Sequence, residues 1–239
     1  MSGHSKWSKI KRQKEVNDRE KSTIFAKLSR AITIAVVEGG GVGDPNHNIK
    51  LRLAVEKARD MNMPKENISR AIEKASLADS SQLKTITYEA FAPHGVTLII
   101  IASTQNSNRT TSQVKNILER NHAKLGNPGS VVYLFQEVVR IAYELNPHNE
   151  EALLQLADQL SATDFETEEG VMVVDLPLSQ INNPLLSSTD FIRLAGPEVV
   201  WKPQAPVHLS DAQNGELLQL ITALESYEDV QEVHSNILN

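Results

Sequence analysis

The chain has 239 residues, of which 40% are hydrophobic and 23% charged, and a formal net charge of -6. The absence of cysteine excludes a disulfide framework, a thiol nucleophile and a cysteine-ligated metal. The longest apolar stretches, such as residues 96–102, are too short to span a bilayer, and the N-terminus has no apolar run after its charges and so does not read as a secretory signal. The length suits two or three domains, and a cytoplasmic chain is expected.

The opening segment, residues 3–14, carries Lys6, Lys9, Lys11, Arg12 and Lys14, with His4 and Trp7 among them and no acid before Glu15. Its apolar content is too low for independent folding, so it reads as an arm. Its cations suit release of counterions from a phosphate backbone, and the Trp7 indole suits stacking on an unpaired base. Whole-chain charge hides this polarity. Residues 1–76 hold 16 Lys+Arg against 9 Asp+Glu, and residues 77–239 hold 8 against 21, giving +7 and -13. A basic binding module on an acidic remainder is expected. The alternative is a solvated basic face with no partner.

Helical spacing of Ile24, Leu28, Ile32, Ala35 and Val36 predicts a helix over residues 21–38, with Thr23, Lys27 and Arg30 on the opposite side. Gly39-Gly40-Gly41 is expected to end it as a cap and linker; it lacks the Gly-Lys-Ser/Thr ending of a phosphate loop. A second helix is expected over 48–61, with Leu51, Ala54, Val55 and Ala58 inward. Lys50 and Lys57 share one side of it and Arg52 and Arg59 another, with Glu56 and Asp60 partly neutralising both rows. Pro64 is expected to start a third helix carrying Ile68, Ala71, Ile72 and Ala75.

These residues carry a family resemblance. Gly3-His4-Ser5-Lys6-Trp7, Ile10-Lys11, Phe25-Ala26-Lys27-Leu28, Gly39-Gly40, Asp44-Pro45, Leu51-Arg52 and Asn62-Met63-Pro64 resemble the YebC/PmpR family, which includes the mitochondrial translational activator of cytochrome c oxidase. The resemblance continues through Gly95-Val96, Asn108-Arg109-Thr110, Leu125-Gly126, Gly129-Ser130-Val131 and Phe135, fades after residue 140, and returns at Leu224-Glu225 and Asp229-Val230. It implies a three-domain layout around a cleft and a role in nucleic-acid biology, either help to the ribosome at proline-rich sequences or regulation of transcription.

Residues 86–91 and 96–104 are expected to be strands joined by Ala92-Pro93-His94-Gly95, followed by a helix over 111–121. Residues 125–130 read as a Gly/Pro loop, 131–135 as a short buried strand, 150–161 as a helix and 170–175 as a strand. A strand over 206–209, a helix around Leu217 to Leu224 and a strand over 230–233 complete the pattern. The expected fold class is α+β: a three-helix domain with a basic arm (1–78), then two α/β-sandwich-like domains, a discontinuous one (79–136 plus 204–239) and an acidic one inserted into it (137–203). The insertion comes from the resemblance, since spacing alone does not fix it.

The loop 105–110 is the second candidate site. It leads into a helix N-terminus, where Arg109 can fork onto a phosphate and Asn108 can bond a base. On the alternative reading, Thr110 or Thr111 caps the helix and Asn108 makes the turn. The family's Asn-Arg-Thr motif favours Arg109, although Gln105 and Ser107 stand where relatives commonly have an acid and a further arginine, and His122-Ala123 where paired glycines are usual.

Catalytic readings have little support. His4, His47, His94, His122, His148, His208 and His234 are scattered without a metal-ligand pair. Glu166, Glu168 and Glu169 read as a solvated edge, and Ser130 lacks a nucleophile elbow. A metal-dependent nuclease is the weakest of three functional readings, behind a ribosome-associated translation factor and a DNA-binding transcriptional regulator. No cofactor, metal or small-molecule substrate is expected; the expected partner is rRNA or tRNA on the ribosome, or duplex DNA, bound by a monomer. The candidate contacts are His4, Lys6, Trp7, Lys9, Lys11, Arg12, Lys14, Lys27, Arg30, Arg52, Arg59, Asn108 and Arg109.

Overall fold

The structure, a computed structural model, describes residues 18–75, 83–187 and 190–237, with side chains from residue 21 onward. Helix α1 spans Asp18–Glu38. Helices α2 (Ile49–Asp60) and α3 (Lys65–Ala75) both pack on it. The shared core holds Leu28, Ile32, Val36, Leu51, Val55, Ala58, Ile68 and Ala71, the residues whose helical spacing marks them as inward. Chain reversal after α1 depends on glycine: Gly40 and Gly41 take φ of 72° and 82°, and the space where a Gly39 side chain would stand is filled by Asn48. Asn48 Nδ2 donates to the Ala35 and Val42 carbonyls at 2.8 and 3.0 Å, and its Oδ1 caps α2 by accepting from Leu51 N at 3.1 Å. One side chain thus ends one helix and starts the next.

Two antiparallel sheets follow. The first has the order β3-β1-β2-β8, from Lys84–Phe91 (β1), Thr97–Thr104 (β2), Lys124–Leu125 (β3) and Val230–Ser235 (β8). Helices α4 (Ser107–Arg120) and α6 (Asp211–Glu225) cover one face, where Val114, Leu118, Leu217, Leu220 and Leu224 meet Tyr88, Ala90, Leu98, Ile100 and Ala102. The second sheet has the order β5-β6-β4-β7, from Phe135–Glu144 (β4), Asp164–Glu168 (β5), Val171–Pro177 (β6) and Arg193–Pro203 (β7). Helix α5 (Glu150–Gln159) covers one of its faces through Leu153, Leu156 and Ala157. All strands of the second sheet lie in sequence between β3 and β8, so the two ends of the first sheet are joined by the chain that forms the second. The expected α+β class, helices first and two sheets after, is the one observed.

Several local expectations need correction. Residues 131–135 are not a strand: Val132–Leu134 is a single 3-10 turn leading into β4. Glu89 explains this, because its buried carboxylate accepts from the backbone N–H groups of Gly129, Val131 and Val132 at 2.5, 2.5 and 2.8 Å and curls the segment around itself. Residues 206–209 contribute one parallel bridge, Val207 to Ile237, in place of a strand. Helix α4 starts four residues early because Asn106 caps it, Oδ1 accepting from Arg109 N at 3.1 Å. Glu166 and Glu168 belong to β5, at the edge of the second sheet, and are half-buried.

Candidate nucleic-acid interface

The arm residues His4, Lys6, Trp7, Lys9, Lys11, Arg12 and Lys14 lie outside the described residues. The remaining candidate cations fall at the junction between the helical bundle and the two sheets. Lys27 and Arg30 stand about one turn apart on the polar side of α1, and that side faces the C-terminal end of α6. Lys27 Nζ donates to the Glu225 carbonyl at 2.6 Å, while Arg30 Nη1 donates to the Glu228 and Ser103 carbonyls at 3.0 and 3.2 Å. Carbonyls at a helix C-terminus form the negative end of its dipole, so cations are stabilised there. Burial lowers the Lys27 pKa, and attraction to Glu225 and Glu232 opposes that shift.

Arg30 also pairs with Asp229, whose side chain is only 2% exposed. Asp229 Oδ1 takes the Arg30 bond at 2.8 Å; Oδ2 accepts from Thr110 Oγ1 at 2.7 Å, the Tyr227 hydroxyl at 2.9 Å and Arg109 Nη2 at 3.0 Å. Burial works against ionisation of this carboxyl, but the bonds from Thr110, Arg109, Tyr227 and Arg30 outweigh it and hold the pKa at about 2. Asp229 is therefore a permanent anion shared by the bundle, α4 and the turn before β8. Arg109 is anchored at one end only and remains 54% exposed. Asn108 beside it is also exposed, so the two candidate residues, which lie in the first turn of α4 and not in a loop, present donors to solvent.

A second junction forms on α2. Lys57 Nζ reaches Glu232 on β8 at 2.6 Å and Glu198 on β7 at 3.4 Å, so one ammonium joins the bundle to both sheets. Burial disfavours its charge, but Glu232 and Glu198 more than compensate and raise its pKa. The Glu232 carboxyl is in turn held well below the carboxylate range, because Lys57 and His234 overcome the cost of burial. Lys50, in the same row, pairs with Glu38 at 2.6 Å. On the other row Arg52 Nη2 donates to Asn182 Oδ1 at 3.0 Å, whereas Arg59 is exposed and makes no side-chain ion pair among the described residues.

The structure thus gathers Lys27, Arg30 and Arg109 around one stretch of chain, residues 225–229, and sets Arg52 and Arg59 apart from them. Asp229, Glu232, Lys57 and Asn106 are the site residues that motif reasoning passes over. One signal for Asp229 exists in the sequence: Leu224-Glu225 and Asp229-Val230 are where the family resemblance returns after its long gap.

Family models place this geometry in context. Residues 5–78 match the model described as TACO1/YebC protein N-terminal domain, and residues 83–237 the model described as TACO1/YebC second and third domain. The chain belongs to the TACO1/YebC family. Among its relatives, a probable transcriptional regulatory protein of Borrelia turicatae is 43% identical over 243 residues, covering 99% of this chain and 97% of that protein. A probable transcriptional regulatory protein of Thermomicrobium roseum is 40% identical over 241 residues, covering 99% and 96%. The crystal structure of a conserved hypothetical protein from Aquifex aeolicus matches this TACO1/YebC chain with a TM-score of 0.78 at 33% identity, covering 92% of this chain and 91% of that one. No helix among the described residues is long and apolar enough to cross a membrane.

Proposed function

We propose that this chain is a cytoplasmic, non-enzymatic, monomeric factor that binds nucleic acid through its basic N-terminal end, with RNA on the ribosome as its main partner. The observation that carries the reading is the charge polarity, +7 over residues 1–76 against -13 over the rest. A phosphate backbone is attracted to one end and repelled by the other. Residues 1–78 are the binding module in this reading; 79–136 with 204–239, and 137–203, are two further domains that orient it. Trp7 among lysines favours unpaired RNA bases, because stacking needs a base outside a duplex. By ordering rRNA or tRNA, the factor assists synthesis of proline-rich sequences through substrate geometry, without a covalent step.

Duplex DNA is the second reading, supported by the relatives named probable transcriptional regulatory proteins. Ultraviolet crosslinking in cells, with sequencing of both recovered RNA and recovered DNA, separates the two. Crosslinks concentrated in rRNA or tRNA and lost when Lys9, Lys11 and Arg12 are replaced by Gln support the ribosomal role. Discrete promoter peaks with background RNA overturn it in favour of transcription.

A further inference from the structure

The bundle is joined to the sheets by its own cations and by the packing of α2 along β7. Lys27 and Arg30 are held by the Glu225, Glu228 and Ser103 carbonyls and the Asp229 carboxylate, and Lys57 by Glu232 and Glu198. An acid also reaches the other way: Glu38 Oε1 accepts from Thr85 Oγ1 at 2.7 Å. Between these polar contacts lies a cleft with an apolar floor, formed by Ala31, Ile34 and Ala35 of α1, Ala54 of α2 and Ile101 of β2. The Ser103 hydroxyl at its wall is buried with no hydrogen-bond partner among the described residues. This is an ionic rim around an open cleft, whereas the contact of α4 and α6 on the first sheet is made by apolar side chains.

From this arrangement we infer that the acidic body is an intramolecular competitor of nucleic acid: it occupies the Lys27, Arg30 and Lys57 face of the bundle, and phosphate binding releases the bundle from the sheets. The inference rests on the nucleic-acid-binding function proposed above. The body presents to α1 what a backbone would present, namely an array of anionic and carbonyl oxygens at hydrogen-bond distance. A polyanion offers oxygen ligands to the same cations at higher charge density, and the packing of α2 along β7 is what that exchange has to overcome. With the bundle closed, the exposed cations include Arg59 on α2 and Arg109, still 54% exposed; with the bundle released, Lys27, Arg30 and Lys57 join them. Binding and opening are therefore coupled, and whatever weakens the clamp strengthens binding.

The test uses the full chain and exploits its lack of cysteine. Ser69→Cys on the exposed side of α3 and Gln113→Cys on the exposed side of α4 carry a donor and acceptor pair for energy transfer. A short single-stranded RNA and a duplex DNA serve as probes. A Glu198→Gln, Glu232→Gln double variant neutralises the two carboxylates that face Lys57 and leaves the residues of the bundle unchanged. The expected result is a fall in transfer efficiency when either probe binds, a lower starting efficiency in the double variant, and several-fold tighter binding by that variant. Binding with unchanged transfer efficiency, and equal affinity of the two proteins, overturns the clamp and leaves the binding function standing. Failure of both proteins to bind either probe overturns both. A parallel urea titration of the double variant identifies any unfolding; a folded variant that binds more weakly than the parent also counts against the clamp.

Discussion

Two contacts of similar structural importance are made in opposite ways in this molecule. Beneath the first sheet, α4 and α6 bury Val114, Leu118, Leu217, Leu220 and Leu224 against the strands. At the other face, the bundle meets the sheets through the packing of α2 along β7 and through Lys27, Arg30 and Lys57 around a cleft. Apolar burial is non-directional and insensitive to salt, so it fixes a domain permanently. Ion pairs need their partners in place and can be exchanged for other anions. The difference separates a permanent scaffold from a contact that a charged ligand can contest.

Breaking each contact in turn sharpens the distinction. Asp229→Ala has the largest expected effect, about 3–5 kcal/mol of lost stability, because it removes the buried anion that Arg30 and Arg109 share and the acceptor of the Tyr227 hydroxyl. The urea midpoint reads this directly, and a loss under about 1 kcal/mol would remove Asp229 from the centre of the junction. Leu118→Ala, fully buried in the scaffold, is expected to cost about 2–5 kcal/mol. Its loss should be the same in low and high salt, and a marked salt dependence would undo the contrast. Glu89→Gln is expected to cost about 1–3 kcal/mol, as three backbone N–H groups lose their anionic acceptor.

Acid should act on the junction as well. The Asp229 pKa is about 2 in the folded chain against an ordinary 3.8, so the folded state binds its proton more weakly than the unfolded chain. Its stabilising contribution is complete above the ordinary value and is lost as pH falls through about 2. Glu232 and Glu89 are depressed in the same direction and add to the acid sensitivity. Denaturation across this window should show a shallower pH dependence for Asp229→Asn than for the parent, and equal slopes would assign the acid loss to other carboxylates.

The bundle is legible in the sequence nearly residue by residue. The apolar spacing of Ile32, Val36, Leu51, Val55 and Ile68 needs no distant information, because a helix selects its buried face from its own period. The Asn106 cap has the same local character, an Asn side chain accepting from the N–H three residues on, just before the Asn-Arg-Thr motif of α4. The inserted sheet is harder to read. In β5, Asp164-Phe165-Glu166-Thr167-Glu168 is mostly polar, and it is a strand because β6 offers it an edge. Likewise, in β7 the Gly196-Pro197 pair interrupts the pattern of a strand whose register against β4 shifts there.

The candidate site shows the sharpest limit. Lys27 and Arg30 are correctly placed on the polar side of α1, but the polar side of an isolated helix is not thereby a free surface. Arg30 finds Asp229 across 199 positions of sequence, and Lys57 finds Glu232 across 175. Composition and short-range periodicity suffice for the charge polarity, the helical bundle and the apolar faces. Which cations are paired and which remain exposed depends instead on the late return of the chain at β8, which brings acids from the far end beside a basic helix near the start.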